Sequence, residues 1–264
     1  MNRRALLVPC VAVLALSACG SSEGSAAPAS GAPAGDELSG TLTVFAAASL
    51  TDVFTELGDE LVAEHPDLDV RFNFAGSSAL ATQIVQGAPA DVFASANEAQ
   101  MAVVTDEGLA SADPVVFTEN VLEIAVPAGN PGDVTGLADF ADPDLALAVC
   151  AAAVPCGAAA TEVFEAAGVT ARPDTEEEDV RAALTKVQLG EVDAALVYAS
   201  DVRSAGDDVR GIPFPEAEEA VNEYPVAVLA DAPNPDAARA FVELLRSAEG
   251  QEALERAGFR SPPA

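Results

Sequence analysis

The sequence has no tryptophan, a single histidine (His65), a single lysine (Lys186), and 12 basic residues against 43 acidic ones. Each scarcity removes a class of function. At a net charge of −31 the chain offers no basic footprint for phosphates, which excludes nucleic acid and anionic membrane surfaces as partners. One histidine leaves one candidate base for a serine triad and rules out histidine-rich metal sites. The four cysteines, Cys10, Cys19, Cys150 and Cys156, have no zinc-site spacing. Half of the 264 residues are apolar, enough to bury a core and too many for a disordered acidic tail. That length allows one large domain or two smaller lobes. The remaining chemistry belongs to hydroxyls, backbone amides and carboxylates.

The N-terminus reads as an address. Asn2-Arg3-Arg4 is a short basic segment, and Ala5–Ala18 is an apolar run interrupted only by Pro9 and Ser17. Such a run is short for a bilayer span and predicts an export signal over residues 1–18. It ends in Leu16-Ser17-Ala18-Cys19-Gly20, which resembles the lipobox of bacterial lipoproteins. That resemblance implies cleavage before Cys19 and lipidation of Cys19, holding the chain on the outer face of the cell membrane. Residues 19–39 continue in Gly, Ser, Ala and Pro without apolar periodicity. They predict a flexible tether with a reach of roughly 25 Å. With Cys10 and Cys19 accounted for, Cys150 and Cys156 are left. In an exported protein, two thiols six positions apart predict a disulfide; the alternative is two independently buried thiols.

From Gly40 onward strand and helix signals alternate. Thr41–Ala46 is β-branched and aromatic, and Leu50, Val53, Phe54, Leu57, Leu61 and Val62 then recur on one helical face. Ser49 with Asp52 three residues on predicts a capping box. Asp69–Ala75, Ala90–Ala94, Val121–Val126, Leu145–Val149 and Asp193–Tyr198 read as further strands, and Ala158–Ala167 and Glu178–Leu189 as helices. This rhythm predicts an α/β fold, with parallel or mixed sheets flanked by helices.

In such folds the binding crevice lies at the carboxyl ends of strands, where loops enter helices. Here those turns carry Ala47-Ala48-Ser49, Gly76-Ser77-Ser78 and Val154-Pro155-Cys156-Gly157. A helix start presents unpaired amides and about half a positive charge. Several aimed at one point make an anion site without Lys or Arg. A single serine at such a start is most simply an N-cap, so convergence is what would distinguish a site.

Three segments, Val44–Leu50, Phe74–Ile84 and Gly87–Phe93, carry a family resemblance that continues through Val154–Gly157, Glu178–Leu184, Val197–Asp201, Glu223–Ala227 and Ala257–Phe259. Together they resemble the periplasmic molybdate-binding proteins of molybdenum ABC importers. The resemblance implies a two-lobed type II periplasmic-binding-protein fold with the oxyanion in the cleft. It implies one lobe from residues 40–121 plus 226–264 and the other from 122–225. It further implies that Ser49 and Ser77 donate to the anion from the first lobe, and that the Cys156 and Val180 amides and the Tyr198 hydroxyl donate from the second. The family commonly has Ala where this chain has Cys156, a change that leaves an amide donor intact. Ser77 and Ser78 are adjacent, so the donor could be either. The implied ligand is molybdate, with tungstate as a near-equal in size, and molybdenum is held only as that oxyanion. The implied partner is a membrane ABC permease, which a monomer serves most simply, and no cofactor is implied. Such dianions carry no proton near neutral pH and require donors only, whereas phosphate also wants an acceptor.

Two other readings compete. A receptor for sulfate or another oxyanion would use the same fold. A serine hydrolase would need Ser49, His65 and an acid, yet no G-x-S-x-G elbow surrounds Ser49 or Ser77. His65 sits in Glu64-His65-Pro66 at an expected helix end, where a solvated role is the simpler one. The acidic run Glu176–Asp179 lacks the spacing of a calcium loop and reads as a helix N-terminus.

Overall fold

The computed structural model describes residues 37–262. The expected signal segment, the lipidated Cys19 and nearly all of the tether lie outside the described residues. The chain runs β1 (Gly40–Ala47), α1 (Thr51–Glu64), β2 (Leu68–Ala75), α2 (Ser77–Val85), β3 (Val92–Ala94), α3 (Glu98–Thr105) and β4 (Val115–Asn120). It continues with β5 (Leu122–Pro127), β6 (Leu147–Cys150), α4 (Pro155–Ala167), β7 (Thr175–Glu177), α5 (Val180–Gln188), β8 (Ala194–Tyr198), α6 (Ala199–Ala205) and β9 (Val209–Ile212). It closes with β10 (Asn222–Val228), α7 (Pro235–Arg246) and α8 (Ala248–Arg256).

These elements form two five-stranded mixed sheets, ordered β2-β1-β3-β10-β4 and β7-β6-β8-β5-β9. In the first, β1 runs parallel to β2 and β3, and β10 runs antiparallel to β3 and β4. The second repeats the plan, with β6 parallel to β7 and β8, and β5 antiparallel to β8 and β9. The chain passes from one sheet to the other between Asn120 and Leu122 and returns before Asn222, which pairs with Asn120. The expected boundary at 225/226 therefore falls inside β10, whose first residues already belong to the first sheet. The register shows why: Asn222, Glu223 and Tyr224 pair in turn with Asn120, Glu119 and Thr118 before the bulge at Pro225.

Each sheet has its own core. Buried residues from Val121 to Ala220 form one cluster around the second sheet. Another joins Leu42 and Val44 of β1, Phe54 and Leu57 of α1, and Phe241 and Leu245 of α7. There the apolar face of α1 meets α7 edge-on, with the Phe54 and Phe241 rings 5.2 Å apart. A third cluster, with Phe45, Leu80, Ile84 and Phe93, packs on the first sheet with α2 and α3. The clusters of the two sheets share no residue, which gives two lobes, each a mixed sheet flanked by helices. No helix among the described residues is long and apolar enough to cross a membrane.

Three local expectations need correction. Ser49 does not cap α1: it lies in a 3₁₀ turn, Ala48–Leu50, that runs straight into the helix, and no side chain caps that start. Helix α4 begins at Pro155 rather than Ala158, because a proline fits the first helical position where its missing N–H is no loss. Helix α5 begins at Val180 rather than Glu178. Thr175–Glu177 is instead an edge strand on β6, and Asp179 alone caps the helix, accepting from the Ala182 amide at 2.9 Å.

Candidate functional site

The carboxyl ends of β1, β2, β6, β7 and β8 point to one place. A small cavity of about 20 Å³ lies there, lined among others by Ser49, Ser77, Cys156, Val180 and Tyr198. All five residues named from the sequence thus meet, three from one lobe's helix starts and strand ends and two from the other's turns after β1 and β2. In this arrangement of the lobes the space exceeds by little what one water requires, which favours a small ion over a sugar, nucleotide or peptide. No Lys, Arg or His lines it.

The serines are held by tertiary bonds and not by capping. Ser49 Oγ and the Tyr224 Oη are 2.9 Å apart in a buried pair. Ser77 Oγ accepts from the Ala96 amide at 3.0 Å, which leaves its own proton free to donate. Gly76 is the N-cap residue of α2, with no side-chain cap bond. Ser78, half-buried on the next position, does not line the cavity.

From the facing lobe, α4 and α5 present their first amides. Pro155 has no N–H, and the amides of Gly157 and Ala158 both donate to the Val154 carbonyl. Among the described residues nothing accepts from the Cys156 amide, and the same holds for Val180. The turn before α4 is tightly closed. A Cβ on Gly157 would lie under 3.0 Å from the Ala151 carbonyl oxygen, and Cys150 and Cys156 are joined with Cα atoms 5.7 Å apart. Tyr198 completes the ring. It is 1% exposed, and its buried Oη has no hydrogen-bond partner. Burial drives its hydroxyl far above the usual phenol range, and the nearby Tyr224 adds to this, so it stays a protonated donor. Burial likewise raises Tyr224.

Behind Tyr198 lies a feature the sequence reading missed. Asp201, fully buried, accepts from the Tyr198 amide at 3.1 Å and faces Arg181 Nε at 3.1 Å. Burial pushes its carboxyl up to about 7, opposed by Arg181. Arg181 reaches on to Asp52 of α1 at 2.5 Å, tying the two lobes across the cleft. Nothing in the linear sequence marks Asp201 as buried, since Asp at that point of a helix is an ordinary first-turn residue.

Chemically the cavity offers hydroxyl protons, helix-start amides and a phenol. Its one lining carboxylate, Asp179, accepts from the Ala182 amide at the start of α5, and His65 ends α1, away from the cavity, where its Nδ1 accepts from the Leu38 amide. Such a cation-free pocket, whose one carboxylate, Asp179, is engaged in capping α5, suits a small anion bearing no proton.

Comparison with known proteins agrees with this geometry. Residues 42–260 match the family model described as bacterial extracellular solute-binding protein. The chain is 43% identical over 256 residues to the molybdate-binding protein ModA of Mycobacterium tuberculosis, covering 97% of each. Among solved structures it superposes on the periplasmic molybdate-binding protein of Azotobacter vinelandii with a TM-score of 0.72 at 19% identity, covering 84% of this chain and 100% of that one. The sulfate-binding protein SubI from Mycobacterium tuberculosis superposes equally, at 0.72 and 18% identity over 84% and 86%. At these identities the superpositions establish the type II binding-protein fold and leave the anion to other evidence. A family-model match that runs from β1 past the last helix, together with 43% identity over nearly the full length to a relative, places this paired-lobe chain in the bacterial extracellular solute-binding protein family, whose members are receptors and not enzymes.

Proposed function

We propose that this chain captures molybdate, and tungstate with it, in the interlobe cavity and delivers it to a membrane ABC permease. The observation that carries the reading is the convergence of unpaired amides and buried hydroxyls from both lobes on a cavity without a cation. Ser49, Ser77 and Tyr198 donate through hydroxyls, and Cys156 and Val180 through amides. The near-full-length identity to a molybdate-binding relative favours molybdate over sulfate, which would use the same donors. The anion is held by dipoles in a site that costs nothing to deprotonate, and the chain's charge of −31 is screened beyond about 8 Å in physiological salt. The lobes, divided at 121/122 and just before Asn222, close on the anion as a hinge. Lipidated Cys19 and the tether keep this monomeric receptor beside its permease.

Calorimetry with molybdate, tungstate, sulfate and phosphate tests the reading. One molybdate per chain is expected, with a raised melting temperature, because a ligand selective for the native state stabilises it. Sulfate should bind far more weakly, since its shorter bonds leave the donors too distant. Saturation by sulfate at the same concentration as molybdate overturns the assignment. Release of a Cys19→Ala variant into the medium, where the parent stays with the membrane, tests the anchor.

A further inference from the structure

Gly76 precedes the serine that begins α2, and its backbone gives no reason for a glycine. Its angles, φ −58° and ψ 135°, are open to any residue. Space is what demands it. A Cβ built on Gly76 would fall under 3.0 Å from the carbonyl oxygen of Glu178 and 3.6 Å from Cβ of Asp179. Glu178 and Asp179 belong to the other lobe, in the turn between β7 and α5. The glycine is therefore required by the contact between lobes and by neither lobe alone.

This contact sits at a point of electrostatic tension. The starts of α2 and α5 face one another across the cavity, each with the partial positive charge of a helix N-terminus. Without a bound anion, the Asp179 carboxylate that caps α5 offsets only the charge at that helix start, and an anion between the two starts draws them together. How near they come is limited by the first hard contact, Gly76 against the Glu178 carbonyl. On the same side, Arg181 clasps Asp52 at 2.5 Å, so the 178–181 segment meets the first lobe at two places.

We propose that Gly76 is a positioning residue for ligand capture: the missing side chain is the seat into which the 178–181 turn closes, and it sets how tightly the cleft shuts on the anion. The inference rests on the molybdate-receptor reading above. A methyl group at this position wedges the lobes apart, and the amides of Val180 and Cys156 then stop short of an anion held by Ser49 and Ser77. Capture into the open form is left intact, because the first lobe's donors are unchanged. Retention is lost.

The test uses the full chain and molybdate. Binding of molybdate to the parent protein is measured first, and its absence would overturn the receptor reading itself. Gly76→Ala should then melt at the parent's temperature without ligand, since the wedge acts only on the closed form. It should bind molybdate roughly tenfold or more weaker, as expected when the binding-competent state becomes rare. Stopped-flow kinetics should assign that loss to faster dissociation, with association within about threefold of the parent. Small-angle scattering should show compaction of the parent on adding molybdate and little or none of Gly76→Ala. Gly136→Ala is the control: its backbone is extended at φ −178°, nothing lies within 4 Å of the added carbon, and parental affinity is expected. Parental affinity and dissociation rate in Gly76→Ala would overturn the proposal. Should that variant fold poorly, scattering of the parent decides alone: a profile unchanged by saturating molybdate, in a protein that calorimetry shows to bind it, means that no closing movement exists for the glycine to seat.

Discussion

Replacing Tyr198 by phenylalanine should move stability and binding in opposite directions. The side chain is 1% exposed, and its hydroxyl oxygen is buried with no partner. A buried polar group left unpaired costs about 1–3 kcal/mol. The ring itself is well held, its centroid 6.1 Å from that of Tyr224 in an edge-on arrangement, and phenylalanine keeps that packing. Taking the lower end, the free variant should gain about 1 kcal/mol, or roughly 2–4 °C in melting temperature for a chain of this size. With molybdate the sign reverses. A hydrogen bond to a charged partner is worth about 1.5–3 kcal/mol, so affinity should fall by roughly 10- to 150-fold. The rise in melting temperature that molybdate gives should shrink in parallel. Differential scanning calorimetry without ligand and titration calorimetry with it read the two effects separately. A variant that melts lower than the parent and binds molybdate equally well would refute the reasoning, because the hydroxyl would then be a structural group with a partner of its own.

Ser77→Ala should lose on both counts, since the Ala96 amide is orphaned as the anion loses a donor; about 1–3 kcal/mol of stability should go, whereas Ser78→Ala, outside the cavity, should change molybdate affinity little in the same titration. Changing Cys150 and Cys156 together to alanine should cost up to about 2.4 kcal/mol by the loop-entropy relation for a loop of about seven residues, read as a lower urea midpoint. It should also weaken molybdate binding, because the Cys156 amide is no longer ordered beforehand; unchanged affinity would make the bridge a device of stability only. For Asp201, the folded carboxyl is raised to about 7 from an ordinary 3.8, so the folded state favours its neutral form. The stabilisation is complete below about pH 4 and is lost as pH rises through 7. Subtracting the urea midpoints of Asp201→Asn from those of the parent should give a difference that declines over that range, and a flat difference would remove the carboxyl from the account.

Much of the α/β plan is legible because its signals are local. The β-branched run Thr41–Ala46 and the helical face Val53-Phe54-Leu57-Leu61 each fit within a few turns of chain, and the structure extends them by a residue or two at their ends. The strand β10 is different. Proline at 225 stands in its middle, and a strand reading is weakened by a residue that cannot donate to the ladder; the bulge between Tyr224 and Pro225 accommodates it. The serines show the same divide. A hydroxyl before a helix predicts a cap, but Ser49 and Ser77 are bound by Tyr224 and Ala96, far away in sequence. The family resemblance singled out both serines, while the cap rule misassigned their bonds. Asp201 and Arg181 escaped notice because their meaning lies in burial and in the contact with α1, which depend on how the lobes meet.

The position of β10 also governs when each half of the molecule can fold. The second lobe is one uninterrupted stretch of chain, from β5 to the turn after β9, and its contacts close as soon as that stretch is available. The first lobe is different, because β10 lies between β3 and β4 at the interior of its sheet and arrives about a hundred residues after β4. Until then β3 and β4 have no shared neighbour, and α1 lacks the α7 face that covers Phe54. Pairings so far apart along the chain are slow to form. The first lobe, which carries both serines, is therefore the last part of the protein to take shape, and shortening the chain at its C-terminal end unmakes the half of the site laid down at its beginning.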